Sequence, residues 1–442
     1  MKHMPSFSDE TRFTLPVIAE NIFTASVSLV YSAVTGAISA GALAASNVAN
    51  QAMNLVFALF TMLTTGSAIL VARATGKGER EEAARIAEVT VSMGAVFGVL
   101  VTLLLLAVSS PVMRLLMPGA EPEFFKEGTI YYRLILLSVP PVVLTNSAAS
   151  ILRAAGNSRQ VLISNVLSNL VQLFSVWLFT SVWTLGIRGA ALATVLCRFV
   201  SAGYLMVALM RNQRGFHMQP RRILKPQMAG IKHIFSVGMP ASIDAMSVQL
   251  AYVIVNSMLV SIGKTEAGVV GVLNSVLIFT GVTQGIGSAA ATTLVGQRVG
   301  AGKIEEARRK GRTILLVCEL VSMALCVPAV AFPGFSAALF SDSRDIIDAA
   351  ARFMWIMFPY CFVAVGVNVC EPAARVGGEV RFTMLAIVGC VWLIRLPLTY
   401  LLAIRLDMGV HGIYAANTLS LGVRFLLSYL RISGESWGKK EL

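Results

Sequence analysis

Val71-Ala-Arg-Ala-Thr-Gly76-Lys-Gly78-Glu-Arg-Glu81-Glu82-Ala83 is answered later in the chain by Val295-Gly-Gln-Arg-Val-Gly300-Ala-Gly302-Lys-Ile-Glu305-Glu306-Ala307. The offset is 224 residues (300 less 76). A second pair, Pro16-Val-Ile-Ala-Glu20 and Pro240-Ala-Ser-Ile-Asp244, has the same offset (240 less 16). A third, Arg153-Ala-Ala-Gly156-Asn-Ser-Arg159 and Arg375-Val-Gly-Gly378-Glu-Val-Arg381, lies 222 apart (375 less 153). Chance loop chemistry can mimic one such pair. Three in one order indicate an internal duplication. Within the first pair, Gly-x-Gly ends one helix and Glu-Glu-Ala opens the next, with acids at its N-terminus. A phosphate-binding loop would need a strand before it and a Gly-Lys-Ser/Thr ending. Neither is present, so nucleotide-driven transport is not expected.

Long apolar runs flank these loops. The chain has 442 residues, 56% hydrophobic and 13% charged, with a mean hydropathy of +0.74. A soluble domain carries about 25% charged residues. Apolar runs of about 20 residues cross a bilayer, and lipid leaves free backbone groups no partner, so the runs read as helices. The expected spans are 14–39, 46–72, 86–108, 128–150, 160–183 and 187–209, then 232–260, 268–296, 311–332, 346–371, 382–404 and 409–431. The fold class expected is an all-α membrane protein of about twelve transmembrane helices in two pseudo-symmetric six-helix lobes. Residues 1–210 form the N-lobe, 211–231 a cytoplasmic connector and 232–442 the C-lobe. Each repeated motif at a span's end follows an even-numbered helix, so the halves are parallel repeats. The polar start leads into a run too long for a removable signal, and is read as the first span. Six cysteines fall inside apolar segments and are expected as packed thiols. Four scattered histidines suggest no metal site.

The net charge of +13 is placed on one side. Loops at 73–85, 153–159, 211–232, 298–312 and 375–381 hold twenty lysines and arginines. The opposite loops hold Arg114, Lys126, Arg188, Lys264, Arg344 and Arg405. Basic loops resist translocation, which places them and both termini in the cytoplasm, in a plasma (inner) membrane. Topology accounts for the basic balance, and no nucleic-acid partner is expected.

With these features together, the sequence resembles the multidrug and toxic compound extrusion (MATE) family, within the multidrug, oligosaccharidyl-lipid and polysaccharide flippases. Leu15-Pro16, Ala42-Leu-Ala-Ala45 and the Gly76 and Gly300 loops carry the resemblance. So does Arg153 to Arg159, which matches the family's L-R-G-A-G-D-T-R, with Arg375 to Arg381 as its second copy. Gly186-Ile-Arg-Gly189-Ala-Ala-Leu-Ala-Thr194 is similar to the opening of the family's sixth helix. The resemblance implies two lobes in a V and export of amphipathic organic compounds driven by protons or sodium. It also implies a transporter rather than an enzyme, with no cofactor beyond the coupling ion. A monomer in the lipid bilayer is expected. Two departures stand out. Tyr31 occupies the position of the first-helix aspartate of one branch, and Val248 and Gln249 stand near the seventh-helix glutamate of another.

An ionised carboxylate inside a bilayer needs a polar cavity, a partner or a proton. Glu20, Thr24, Ser28, Tyr31 and Thr35 share one helical face. Glu20 and its repeat mate Asp244 are therefore the candidate ion-coupling residues, with Tyr31. A structural seam, or Glu20 snorkelling to the surface, is the alternative. Proton coupling is favoured over sodium, because a sodium ion needs several oxygen ligands and Ser247 beside Asp244 supplies one. Candidate cavity residues are Thr24, Ser28, Asn47, Asn50, Gln51 and Asn54, then Asn165, Asn169 and Gln172, with Tyr252, Asn274, Gln284 and Arg395 in the second half. Amides equally serve as glue between helices. Arg395 either neutralises Asp244 or Glu371 or binds an anionic substrate group. Glu371 is expected to pair with Arg375 at i,i+4, and Glu319 lies toward the Arg312 region. A lipid-linked sugar or peptidoglycan-precursor flippase is the alternative function, and would favour inward arginines of which Arg198 is the one in the N-lobe. An intramembrane transferase would need an acid or histidine cluster that the sequence lacks.

Overall fold

The computed structural model describes residues 40–116, 122–211, 228–262, 264–340, 343–435 and 437–438. The first expected span, 14–39, lies outside them. The helices of the first copy are α1 (Ala40–Lys77), α2 (Arg80–Ala107), α3 (Ser109–Leu116), α4 (Pro122–Leu136), α5 (Val139–Ala154), α6 (Ser158–Trp177) and α7 (Gly186–Met210). Those of the second are α8 (Met228–Ile262), α9 (Lys264–Ala290), α10 (Gly296–Gly300), α11 (Ile304–Ala331), α12 (Pro333–Ala338) and α13 (Arg344–Phe353). They continue with α14 (Met357–Val376), α15 (Val380–Gly389), α16 (Leu396–Thr399) and α17 (Gly409–Ser433). All regular structure among the described residues is helical.

Eight helices among these residues are long and apolar enough to cross a membrane, and two bent pairs raise the number to ten. One pair is Phe125–Leu136 with Val139–Ala154, bent by 43°. Pro140 and Pro141 explain this bend, since each lacks an N–H and crowds the preceding turn. The 25-residue α17 occupies the last expected span. Acids open α2 (Glu81, Glu82) and α11 (Glu305, Glu306), where the helix dipole favours them. Leu100, Leu103 and Leu104 on α2 and Leu316 and Leu320 on α11 are exposed, as apolar side chains of membrane helices can be. All six cysteines are buried and unbridged.

The duplication is visible residue by residue. The helices α2 and α11 have 28 residues each, and α7 and α17 have 25 each. Left-handed backbone recurs in pairs: Gly78 and Gly302 (φ 83° and 73°), Gly156 and Gly378 (85° and 94°), Thr184 and Asp407 (51° each). Close packing recurs too. A Cβ on Gly189 would sit 2.9 Å from the Phe179 carbonyl oxygen, and one on Gly412 would sit 2.5 Å from the Ala403 nitrogen. Both glycines let a helix start lie directly on the backbone of the preceding segment.

Two compact units form the chain, Met1–Ser242 and Ile243–Leu442. The division falls inside α8, past the 211–231 connector. The first part of α8 packs on α1 within the first unit. There Gly66 abuts the backbone of Ile234 and Gly238, and Ser242 Oγ lies 3.0 Å from the Ala58 carbonyl. The second unit's core joins Val269, Val272 and Leu273 to Met354, Met357, Cys361 and Tyr414.

Candidate functional site

In the second unit, α8 carries Asp244 four residues past Pro240, and α14 carries Glu371 and Arg375 one turn apart. Arg375 Nη2 donates to Asp244 Oδ2 at 2.8 Å. Arg424, from α17, donates through Nε and Nη2 to the two oxygens of Glu371 at 2.9 and 3.0 Å. Asp244, Glu371 and Arg424 are 4, 6 and 9% exposed. Two acids and two arginines make a neutral cluster, and this compensation is what allows charge to stay in a membrane interior. Glu379 and Arg431 form a further pair at 3.0 Å.

This arrangement corrects one expectation and extends another. Arg395 neutralises neither acid, because Arg375 and Arg424 already hold them. Glu371 does pair with Arg375 at i,i+4, at 4.0 Å, and in addition has Arg424 as a closer partner that the sequence did not suggest. Asp244 is thereby held in an ion pair, the structural alternative to a coupling role.

Arg395 ends a π-helical segment, Cys390–Arg395, that continues α15. Its guanidinium lies 4.5 Å from the ring centre of Tyr252. Tyr360 is within electrostatic reach of Tyr252, Arg395 and Tyr414. Its ring meets that of Tyr414 edge-on at 5.9 Å, and Tyr414 OH donates to Asn274 Oδ1 at 3.2 Å. Arg395 is 5% exposed while Tyr252 is 43% exposed, so a buried cation backs an open aromatic face. The second unit thus brings together Tyr252, Asn274 and Arg395 and adds Tyr360 and Tyr414. Gln284 instead accepts from Asn368 Nδ2 at 3.2 Å, as interhelical glue. Since Arg395 is paired with no carboxylate among the described residues, Arg395→Ala is expected to cost its cation–π contact, about 0.5–2 kcal/mol, plus the packing of its stem, and less than a broken buried ion pair. Melting of the purified variant checks this, and a loss typical of a broken buried ion pair would refute it.

In the first unit, Asn50, Gln51 and Asn54 are exposed along α1. Asn47 is on the same helix, its side chain outside the description. Asn165, Asn169 and Gln172 are half-buried on α6, beside a serine seam to α7. In that seam Ser164 and Ser201 hydroxyls are 2.8 Å apart, and Ser168 Oγ donates to the Cys197 carbonyl at 3.1 Å. Asn169 Nδ2 is buried without a hydrogen-bond partner among the described residues. Arg198 is exposed. Glu20, Thr24, Ser28 and Tyr31 lie outside the described residues.

The MatE family profile matches the chain twice, over residues 16–178 and 240–401. The chain belongs to the MatE family. The two matched segments begin at Pro16 and Pro240, the same positions that open the repeat. This MatE chain is 24% identical over 415 residues to "Uncharacterized transporter YisQ" of Bacillus subtilis, covering 90% of the chain and 88% of that protein. It is 24% identical over 435 residues to "Probable multidrug resistance protein NorM" of Thermotoga maritima, covering 97% and 92%. A MATE crystal structure in complex with MaL6 shares its fold with a TM-score of 0.87 at 19% identity, covering 96% of each chain. A MOP superfamily transporter from Pyrococcus furiosus gives 0.85 at 20%, covering 98% and 96%. As a MatE protein the chain is a multi-pass membrane transporter and not an enzyme.

Proposed function

We propose that this MatE protein exports amphipathic organic compounds from the cytoplasm by antiport against an inward proton gradient. Its relatives include chains named as probable multidrug resistance proteins. The observation that carries the substrate reading is the open Tyr252 ring backed by Arg395. An aromatic face takes flat apolar bodies, and an arginine without a carboxylate takes a carboxylate, sulfonate or other anionic group. Substrates with an anionic or zwitterionic head therefore fit it best. The basic loops support a plasma-membrane orientation with both termini in the cytoplasm.

Coupling falls to Glu20. In the sequence Thr24 and Tyr31 share its helical face and would be hydrogen-bond partners for a protonated carboxyl, and Asp244 is engaged by Arg375. External protons load the site and the cytosol unloads it. A change of charge facing the cavity then biases a two-state equilibrium toward release outside. The test is export of cationic, zwitterionic and anionic dyes from vesicles under separately imposed proton and sodium gradients. Export is expected to follow the proton gradient at fixed sodium, and Glu20→Gln is expected to bind dye yet lose gradient-driven export. Sodium dependence with no response to pH would sink proton coupling, and unimpaired export by Glu20→Gln would remove Glu20 from the mechanism.

A further inference from the structure

The helices α2 and α11 are two copies of one element, and at one place they differ in kind. Through the 224-residue offset, Glu319 and Ser322 of α11 stand where α2 has Ala95 and Gly98. The first copy packs without either polar group, so the helix itself does not require them. The second copy buries both: Glu319 is 8% exposed and Ser322 0%. Both carboxyl oxygens of Glu319 and Oγ of Ser322 are buried with no hydrogen-bond partner among the described residues. Every other buried acid of the second unit among the described residues has an arginine: Asp244 has Arg375, Glu371 has Arg424, and Glu379 has Arg431. Glu319 stands apart.

Among the described residues, the groups facing it leave it without a counter-charge. On its own helix the sequence suggested the Arg312 region, but Arg312 is seven residues away, about 10 Å along the axis, and makes no ion pair with it. Cys318 beside it and Cys370 from α14 are the titratable groups it interacts with. The other charges of α14, Glu371 and Arg375, are engaged with Arg424 and Asp244. From Gly268 to Gly300, along α9 and α10, the sequence holds only Arg298, at the helix end. The short α12 contributes none.

A bare ionised carboxylate is not held stably in such a place, and the cheapest neutralisation is a proton. A hard cation would ask for several oxygens. Here the carboxyl and one side-chain hydroxyl supply three, and the other titratable side chains that interact with Glu319 are the soft thiols of Cys318 and Cys370. Ser322 is three residues on along the same helical face and is not hydrogen-bonded to Glu319 in the structure; a side-chain rotation would let its hydroxyl accept from or donate to the carboxylic acid. We propose that Glu319, with Ser322 beside it, is a proton-binding site of the second unit, separate from Glu20 and Asp244. The site holds its proton whichever ion drives transport, so its fate is independent of the proposed coupling.

Infrared difference spectra of the purified full-length protein test this directly. Wild type minus Glu319→Gln at neutral pH is expected to contain the carbonyl stretch of a protonated carboxylic acid. Ser322→Ala should shift that band, since it removes the neighbouring hydroxyl. Carboxylate stretches in place of the acid band would overturn the proposal. Should Glu319→Gln fail to fold, wild type minus Ser322→Ala decides alone: a shifted acid band supports the site and an unchanged acid region refutes it. Because glutamine mimics a protonated glutamate, Glu319→Gln is further expected to melt as wild type does, while a marked drop would mean an ionised, partnered acid.

Discussion

Arg424→Ala is expected to cost about 3–5 kcal/mol of stability, enough to remove most folded protein from the membrane. The magnitude follows from what the substitution leaves behind. Glu371 is 6% exposed, and both of its oxygens are bonded by Arg424. Its other cation, Arg375, is 4.0 Å away and bonded to Asp244. With Arg424 gone, one arginine would face two acids in a low-dielectric interior, and the cluster would carry an uncompensated negative charge. Adding Glu371→Gln removes that charge and should recover much of the loss, although the arginine is still absent. Unfolding of the single and double variants in detergent measures both effects. A double variant no more stable than Arg424→Ala would refute the pair as the source of the loss.

Gly412→Ala is expected to destabilise the second unit by about 1–3 kcal/mol, although alanine is the better helix former. The added carbon would approach the Ala403 nitrogen, the Leu402 carbonyl carbon and the Ala403 Cα within 2.5–2.8 Å. All three are backbone atoms, so no side chain can turn aside, and α17 must move off the segment it starts on. The control lies on the same helix. At Gly422 a Cβ would meet only Val363 Cγ1, at 3.8 Å, an ordinary contact. Gly422→Ala should therefore leave stability unchanged or raise it slightly. Equal melting temperatures for the two variants would rule out the backbone contact as the constraint.

Much of the fold is legible in the sequence, because a bilayer imposes one secondary structure and a minimum length on each apolar run. The repeat is legible because turns with left-handed backbone restrict residue choice, as at Gly78 and Gly302. The acids are legible too, being rare in such runs. Their partners are not. Glu371 shows Arg375 at i,i+4 in the sequence, but the arginine that holds it stands 53 residues away on another helix. Arg395 invites an acid by its depth alone, yet which helix faces it is decided by packing, and the neighbour is an aromatic ring. Arg424 carried a usable signal, a lone cation in an apolar run that needs some partner, but as Arg395 shows the signal does not say whether the partner is an acid or a ring. The isolation of Glu319 is likewise a fact of three-dimensional neighbours.

The paired left-handed turns and equal helix lengths also date-stamp, in relative terms, where the two copies drifted. The offset is 224 through α2 and α11 (304 less 80), then 222 from Pro122 and Arg344 (344 less 122) through Gly156 and Gly378. It becomes 223 from Thr184 and Asp407 (407 less 184) through the starts of α7 and α17. The copies therefore differ by two residues between Ser109, still 224 from Pro333 (333 less 109), and Pro122, and by one within the π-helical segment, where Leu178–Val182 has five residues and Tyr400–Arg405 has six; both places are opposite the basic side. The basic-side turns beginning at Gly78 and Gly156 kept their length and their backbone in both copies. Among the described residues the two copies thus differ in length on one side of the repeat, while the turns of the basic side match residue for residue.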